Sequence, residues 1–405
     1  MSVPPPAPNS APNSAPNSAP NPAPPADARP TLRWTEAGHD GRPVEHLARW
    51  CSASAATPPD RVVVADDRTT AAAAHRLARA GQALLWRGDY HNARQLLRAL
   101  GRRVAAAEPP ATTWAAHRAA RARRATLLGR LLVPLDGAGR VALRRGPDTA
   151  AACAEAWGPP DGRTAVTPLP ELLGAIGAHE WRRRGVPVAA LGGARVHPHH
   201  GVFSPVRGEY VDLAATAPLP AAAREGGALD LGTGTGVLAA VLARRGIRHV
   251  TATDHDPRAV ACARENLARL GLAGRVTVHH ADLYPPHRRA GLVVCNPPWL
   301  PERPNSPLDH AVYDPEGRML HGFLAGLTDH LTPGGEGWLI LSDLAEHLGL
   351  RSRHHLLAAF DAAGLRVVDR LDTRPTHRRT EDATDPLHRA RSAEVTSLWR
   401  LAPEP

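Results

Sequence analysis

The chain has 405 residues, enough for two or three domains with buried cores. Its formal net charge is +10 and all 49 basic residues are arginine, a balance that fits a GC-rich genome as well as attraction to phosphate or an acidic partner. Cys51, Cys153, Cys262 and Cys295 are too scattered for a zinc or redox pair, no run approaches the ~18 apolar residues of a membrane span, and the N-terminus has no basic start with an apolar core, so a cytoplasmic protein without membrane or metal is expected.

Residues 1–30 repeat Ala-Pro-Asn-Ser, and proline interrupts every periodic pattern. Such a tail buries too little apolar surface to offset its chain entropy, so disorder is expected. Residues 31–186 form a second region, a smaller mixed α/β or helical domain. Within it 61–64 reads as a strand, 70–80 as an alanine-rich helix, 82–86 as a strand and 92–104 as a helix. A helix-turn-helix pair over 78–100, punctuated by Gly81 and Gly88, fits the same residues. Residues 114–132 read as one long helix carrying Arg118, Arg121, Arg123, Arg124 and Arg130, either a solvated face or a surface that docks an acidic macromolecule. Residues 131–144, split by Asp136-Gly137-Ala138-Gly139, resemble a hairpin, and 167–184 read as a helix.

From residue 187 to 405 strands and helices alternate. Strands are predicted at 228–231, 249–253, 276–279, 291–295 and 337–341, with helices at 237–245, 257–270, 318–331 and 345–363. The strands at 365–371 and 394–401 lack a crossover helix and are expected to be antiparallel. This alternation predicts a parallel sheet covered on both faces.

Gly232, Gly234 and Gly236 follow a strand and open a helix, where glycine permits a tight turn and close approach of backbone to a ligand. Asp254 follows about 20 residues on, at the end of the second strand, where its carboxylate can accept from two ribose hydroxyls. Asp282 is a candidate for an adenine amino group, with Leu283 packing against the ring. Glycines followed by an acid also describe dinucleotide binding. Here the spacing is Gly-x-Gly-x-Gly with Asp230 just before it, and a carboxylate there repels pyrophosphate but welcomes the amino group and sulfonium of S-adenosylmethionine.

Asn296-Pro297-Pro298-Trp299 ends the apolar strand about sixty residues later. With Asp230-Leu231-Gly232-Thr233-Gly234-Thr235-Gly236, Asp254 and Asp282, it gives residues 190–402 a resemblance to class I S-adenosylmethionine-dependent methyltransferases. The resemblance is nearest to the "small" methyltransferase domain shared by protein-glutamine and ribosomal RNA guanine methyltransferases. It implies a Rossmann-like seven-stranded sheet, mostly parallel with the last strand antiparallel. It also implies cofactor contacts from Asp230, Gly232, Thr233, Gly234, Gly236, Asp254, Asp282 and Leu283. Trp299 departs from the family's usual tyrosine or phenylalanine but keeps an aromatic face.

The physical reading agrees with the roles the resemblance implies. An amide or exocyclic amino nitrogen is a poor nucleophile because its lone pair is delocalised. The Asn296 side-chain oxygen and the Pro297 carbonyl can each accept one N–H, two adjacent prolines stiffen the loop, and Trp299 can stack on the planar group. Positioning of this kind supplies roughly 7–11 kcal/mol in favourable cases. Upstream, Phe203, Arg207 and Glu209 occupy a segment that borders cofactor and substrate in the glutamine enzymes, and they are expected to line the site. His197-Pro198-His199-His200 lacks a completing acid or thiol, so no metal is expected, and Cys295 in its strand reads as a core thiol. Arg378, Arg379, Arg389 and Arg391 fall between the last two strands as a solvated loop or a polyanion contact. The expected acceptor is a macromolecule: a glutamine amide of a translation protein, or alternatively an exocyclic amino group of ribosomal RNA. A small-molecule acceptor, a non-catalytic binding module and a nicotinamide oxidoreductase are the competing readings.

Overall fold

The computed structural model describes residues 30–38, 40–206, 208–304, 309, 311–375 and 387–405, so the tail expected over 1–30 lies outside them except for Pro30. The first of two large sheets has six strands. β1 (Thr31–Ala37) and β2 (Pro43–Trp50) form an antiparallel hairpin not anticipated from sequence. Its period-2 signal is nonetheless present, since Leu32 and Trp34 are buried between exposed Thr31, Arg33 and Thr35. Then follow β3 (Val62–Ala65), α1 (Ala71–Arg79), β4 (Ala83–Trp86), α2 (Tyr90–Ala107), α3 (Trp114–Leu128), β5 (Leu131–Leu135), α4 (Ala150–Trp157), β6 (Ala165–Pro168) and α5 (Leu169–Arg184). The order is β1-β2-β6-β5-β4-β3, with β3, β4 and β5 parallel.

The helix-turn-helix alternative fails because Ala83–Trp86 is buried at every position and pairs on both edges, which only an extended segment can do. Helices α1, α2 and α3 start where side chains cap them. Thr70 Oγ1 accepts from Ala73 N at 3.2 Å, Asp89 from His91 N at 2.8 Å, and Thr113 Oγ1 from Ala116 N at 3.2 Å. Such caps are typically worth ~1 kcal/mol each. The helix expected over 114–132 stops at Leu128, because Leu131 and Leu132 turn inward as β5. Arg130 therefore lies in the turn and donates to Gly81 O at 2.7 Å. The hairpin expected over 131–144 reduces to one Leu135–Val141 bridge, and the antiparallel partner of β5 is β6.

β7 (Val186–Pro187) and β8 (Arg195–Val196) make a short ribbon before the second sheet. That sheet has α6 (Glu209–Thr216), α7 (Ala221–Gly226), β9 (Ala228–Leu231), α8 (Val237–Arg244), β10 (Val250–Asp254), α9 (Pro257–Arg269) and β11 (Val276–His280). It continues with β12 (Ala290–Cys295), α10 (Arg318–His330), β13 (Leu331–Ser342), α11 (Leu344–His347), α12 (Arg353–Ala362), β14 (Leu365–Thr373), α13 (His388–Ala393) and β15 (Thr396–Pro403). The single helix expected over 345–363 is two, broken near Gly349 at φ +71°.

The order is β11-β10-β9-β12-β13-β15-β14, with β15 antiparallel to both neighbours. This is the Rossmann-like, mostly parallel seven-stranded sheet expected. α8 is buried from Val237 to Ala243, which explains its all-apolar sequence. The chain steps outward from β9 to β11, then crosses to β12 on the other side. Ligands in such sheets bind at this reversal, beyond the carboxyl ends of the strands.

Candidate active site

Register fixes the geometry. Leu231 at the end of β9 is paired with Thr253 of β10 on one side and Cys295 of β12 on the other. Gly232, Asp254 and Asn296 therefore leave adjacent strands at one level, with a strand spacing of ~4.8 Å.

The glycine loop turns because Gly232, Gly234 and Gly236 take φ of +68°, +55° and +81°, a region that side chains disfavour. Asp230 is fully buried beneath it. Its Oδ2 accepts from Thr233 Oγ1 at 2.6 Å and Ala239 N at 3.0 Å, while Oδ1 has no partner. Burial pushes the Asp230 pKa up to about 6, against the lowering effect of those two bonds. Asp254 accepts from Gly234 N at 2.9 Å on Oδ2 and from Asp256 N at 2.9 Å on Oδ1. Each oxygen keeps a second lone pair, and burial again raises the pKa.

Two contributors were missed in the sequence. A Cβ on Gly232 would come within 2.3 Å of Met319 Cε, so the thioether lies against the glycine loop. Met319 is held in turn by Asp314, whose carboxylate accepts from Met319 N at 2.9 and 3.0 Å and from Leu320 N at 3.2 Å at the start of α10. An aspartate shortly before a predicted helix was the available signal.

Asp282 sits at the rim with its side chain 58% exposed, paired with Arg318 Nη2 at 2.6 Å. An exposed pair of this kind is weak enough to open for a ligand. Leu283 adopts φ +63°; its carbonyl accepts from Thr253 Oγ1 at 2.6 Å and its side chain faces Gly322 of α10.

At the clamp Pro297 is buried, and Asn296, Pro298 and Trp299 are half-buried. Asn296 Oδ1 accepts from Trp299 Nε1 at 2.9 Å. One lone pair of the expected acceptor oxygen is thus taken by the motif's own tryptophan and one remains. The Trp299 ring also packs against core residues on both faces of the sheet. Beyond it, Leu300 bridges to Tyr313 and its carbonyl accepts from Asp314 N at 2.8 Å, so the clamp loop and the α10 start are one unit.

Phe203 is exposed, with its ring 6.4 Å from that of Tyr210. Glu209 opens α6 with Oε1 buried and unpartnered, as is Ser204 Oγ. Burial, then the charges of Asp230 and Glu209, raise the Tyr210 pKa, and α6 packs on α8, the helix that the glycine loop opens. Arg207 lies outside the described residues, as do Arg378 and Arg379, while Arg389 and Arg391 sit on α13. The histidine run serves packing: His197 Nδ1 meets Arg182 O at 2.6 Å, His199 Nε2 meets Glu265 at 2.7 Å, and His200 is buried. Burial raises the Cys295 thiol well above its ordinary value, as befits a core residue. Among the described residues no three His, Cys, Asp or Glu side chains are grouped to hold a metal, and no helix is long and apolar enough to cross a membrane.

Residues 193–363 match the methyltransferase small domain family. A release factor glutamine methyltransferase of Cereibacter sphaeroides is 40% identical over 111 residues, covering 27% of this chain and 36% of that protein. A tRNA1(Val) (adenine(37)-N6)-methyltransferase of Vibrio campbellii is 38% identical over 75 residues, covering 18% and 31%. A release factor glutamine methyltransferase of Geobacter sulfurreducens is 32% identical over 162 residues, covering 35% and 55%. The chain thus spans 36%, 31% and 55% of the lengths of these relatives.

Proposed function

We propose that this chain, whose residues 193–363 match the methyltransferase small domain family, is an S-adenosylmethionine-dependent methyltransferase acting on a planar nitrogen of a macromolecule. The observation that carries the reading is the register of β9, β10 and β12, which brings the glycine loop, Asp254 and the Asn296 clamp to one edge. The residues fit the cofactor: Asp230 has a carboxylate oxygen without a partner below the loop, and Asp254 has lone pairs left for two hydroxyls.

When bound, S-adenosylmethionine supplies a methyl group already activated on sulfur. The remaining work is positional. Asp254 would hold the ribose, and Met319 lies against Gly232 of the glycine loop. The free lone pair of Asn296 Oδ1 and the Pro297 carbonyl each accept one N–H of the acceptor, which aims the nitrogen lone pair at the methyl. Trp299 orients the Asn296 amide through its indole N–H. Asp282 and Leu283 would border the adenine, and Phe203 and Glu209 would line the acceptor side.

The acceptor is a glutamine amide of a translation protein or an exocyclic amino group of RNA. The release factor relatives support the first. The arginine-rich helices α2 and α3 favour the second. A cytoplasmic setting goes with either. The test is incubation with tritiated S-adenosylmethionine and lysate from a strain lacking the protein. Label in neither protein nor RNA, despite cofactor binding, would favour a non-catalytic module.

A further inference from the structure

α2 carries Arg94, Arg98, Arg102 and Arg103, and α3 carries Arg118, Arg121, Arg123 and Arg124, with no aspartate or glutamate in either helix. Solvated helices usually intersperse both signs, and like charges at four-residue spacing, as at Arg94, Arg98 and Arg102, oppose helix formation. Some of the eight have structural duties. Arg124 Nη1 donates to Gly101 O at 2.6 Å, and Arg123 pairs with Glu108. Arg98, Arg102, Arg103 and Arg121 are exposed and make no hydrogen bond or ion pair among the described residues.

The location is as informative as the charge. The Arg124 bond to Gly101 seats α3 on α2, so the two sets of arginines adjoin. At the other end of α3, Arg118 bonds Glu302 and Arg303 O and lies over the Tyr313 ring at 4.6 Å. Trp114 packs with Leu300, Tyr313 and Ala345. The basic surface therefore ends on the loop that leaves Trp299. It also lies outside the family match, which begins at residue 193, so it belongs to this chain's own N-terminal unit.

We infer that the α2–α3 face is a docking surface for the phosphate backbone of RNA, which leads an unpaired acceptor base to the Asn296 clamp. The inference rests on the methyltransferase reading and chooses between its two acceptors. Two features favour RNA over an acidic protein. Neither helix bears an exposed large apolar side chain of the kind that anchors protein partners. Arginines four residues apart on a helix stand ~6 Å apart along its axis, comparable to the separation of successive phosphates on a strand. A base in single-stranded or flipped form can then reach the clamp.

The test uses the full chain with deproteinised ribosomal RNA in filter binding at several salt concentrations, beside calorimetry with S-adenosylhomocysteine. The expected result is salt-dependent binding by the wild type. The combined variant Arg98→Ala, Arg102→Ala, Arg121→Ala should bind at least ~10-fold more weakly, with the salt slope reduced by about 2. The matching lysine variant should retain most binding, and all forms should bind S-adenosylhomocysteine equally. The inference is overturned if wild-type binding is absent or insensitive to salt, or if the alanine variant binds like wild type. Undiminished methyl transfer to a lysate protein by the alanine variant would also overturn it, while leaving the methyltransferase reading standing. Failure of the wild type to bind S-adenosylhomocysteine would instead remove that underlying reading.

Discussion

Replacing Trp299 with phenylalanine keeps a ring beside the clamp and deletes one hydrogen bond, from Nε1 to Asn296 Oδ1 at 2.9 Å. Both partners are neutral and half-buried, so the bond is worth about 0.5–1.5 kcal/mol net. Without it the Asn296 amide rotates more freely, and the share of molecules with its oxygen facing the acceptor falls. At 1.36 kcal/mol per tenfold, turnover should drop by about 2- to 13-fold. Cofactor affinity should not move, because Asp230 and Asp254 are anchored on β9 and β10 by their own bonds. The assay is the initial rate of tritium transfer at saturating cofactor, with calorimetry for cofactor binding. A melting curve separates out the loss of packing, since the indole also contacts the core. An unchanged turnover number would refute the orienting role. An increase would mean that the indole competes with the acceptor for Asn296, the reverse of the reasoning.

Asp254→Ala removes the proposed ribose acceptor and frees Gly234 N, so S-adenosylhomocysteine should bind at least ~10-fold more weakly by calorimetry. The raised Asp230 pKa, about 6, gives a pH dependence with a definite sign. Below that value the carboxyl is neutral and cannot attract a cationic cofactor, so affinity should fall by up to ~10-fold per unit as pH drops from 6 to 5. For the unliganded fold the stability this group contributes is fully present below its unfolded value and is lost as pH rises through about 6, so Asp230→Asn should flatten thermal stability across that window. Gly291→Ala would place a Cβ 2.0 Å from Ala222 O and 2.5 Å from Ala223 N, both backbone atoms where α7 seats on β12. It should cost about 3 kcal/mol or more, read as a lowered melting temperature.

The second sheet was legible because β9, β10 and β12 are short, largely buried runs bounded by turns, and helices alternate with most of its strands. The placement of the glycine loop, Asp254 and the Asn296 segment at adjacent strand ends was legible because each ends or directly follows a short strand bounded by a turn. Other features depend on contacts between distant positions and left little local trace. Leu131 and Leu132 continue a helical pattern, and only pairing with β4 and β6 draws them into a strand. The Asp282–Arg318 pair and the Met319 contact with Gly232 arise from where α10 lands on the sheet. The Trp299–Asn296 bond depends on the bend of the two prolines between them. The N-terminal alternation was half visible, since short buried segments such as β4 read equally as helix until their neighbours are known.

The most direct measurement compares wild type with Asn296→Ala for tritium transfer from labelled S-adenosylmethionine into lysate macromolecules, alongside calorimetric binding of S-adenosylhomocysteine. The account predicts equal binding and at least a ~100-fold loss of transfer in the variant, because positioning of the nitrogen is what the clamp supplies. Transfer by the variant at the wild-type rate would contradict it.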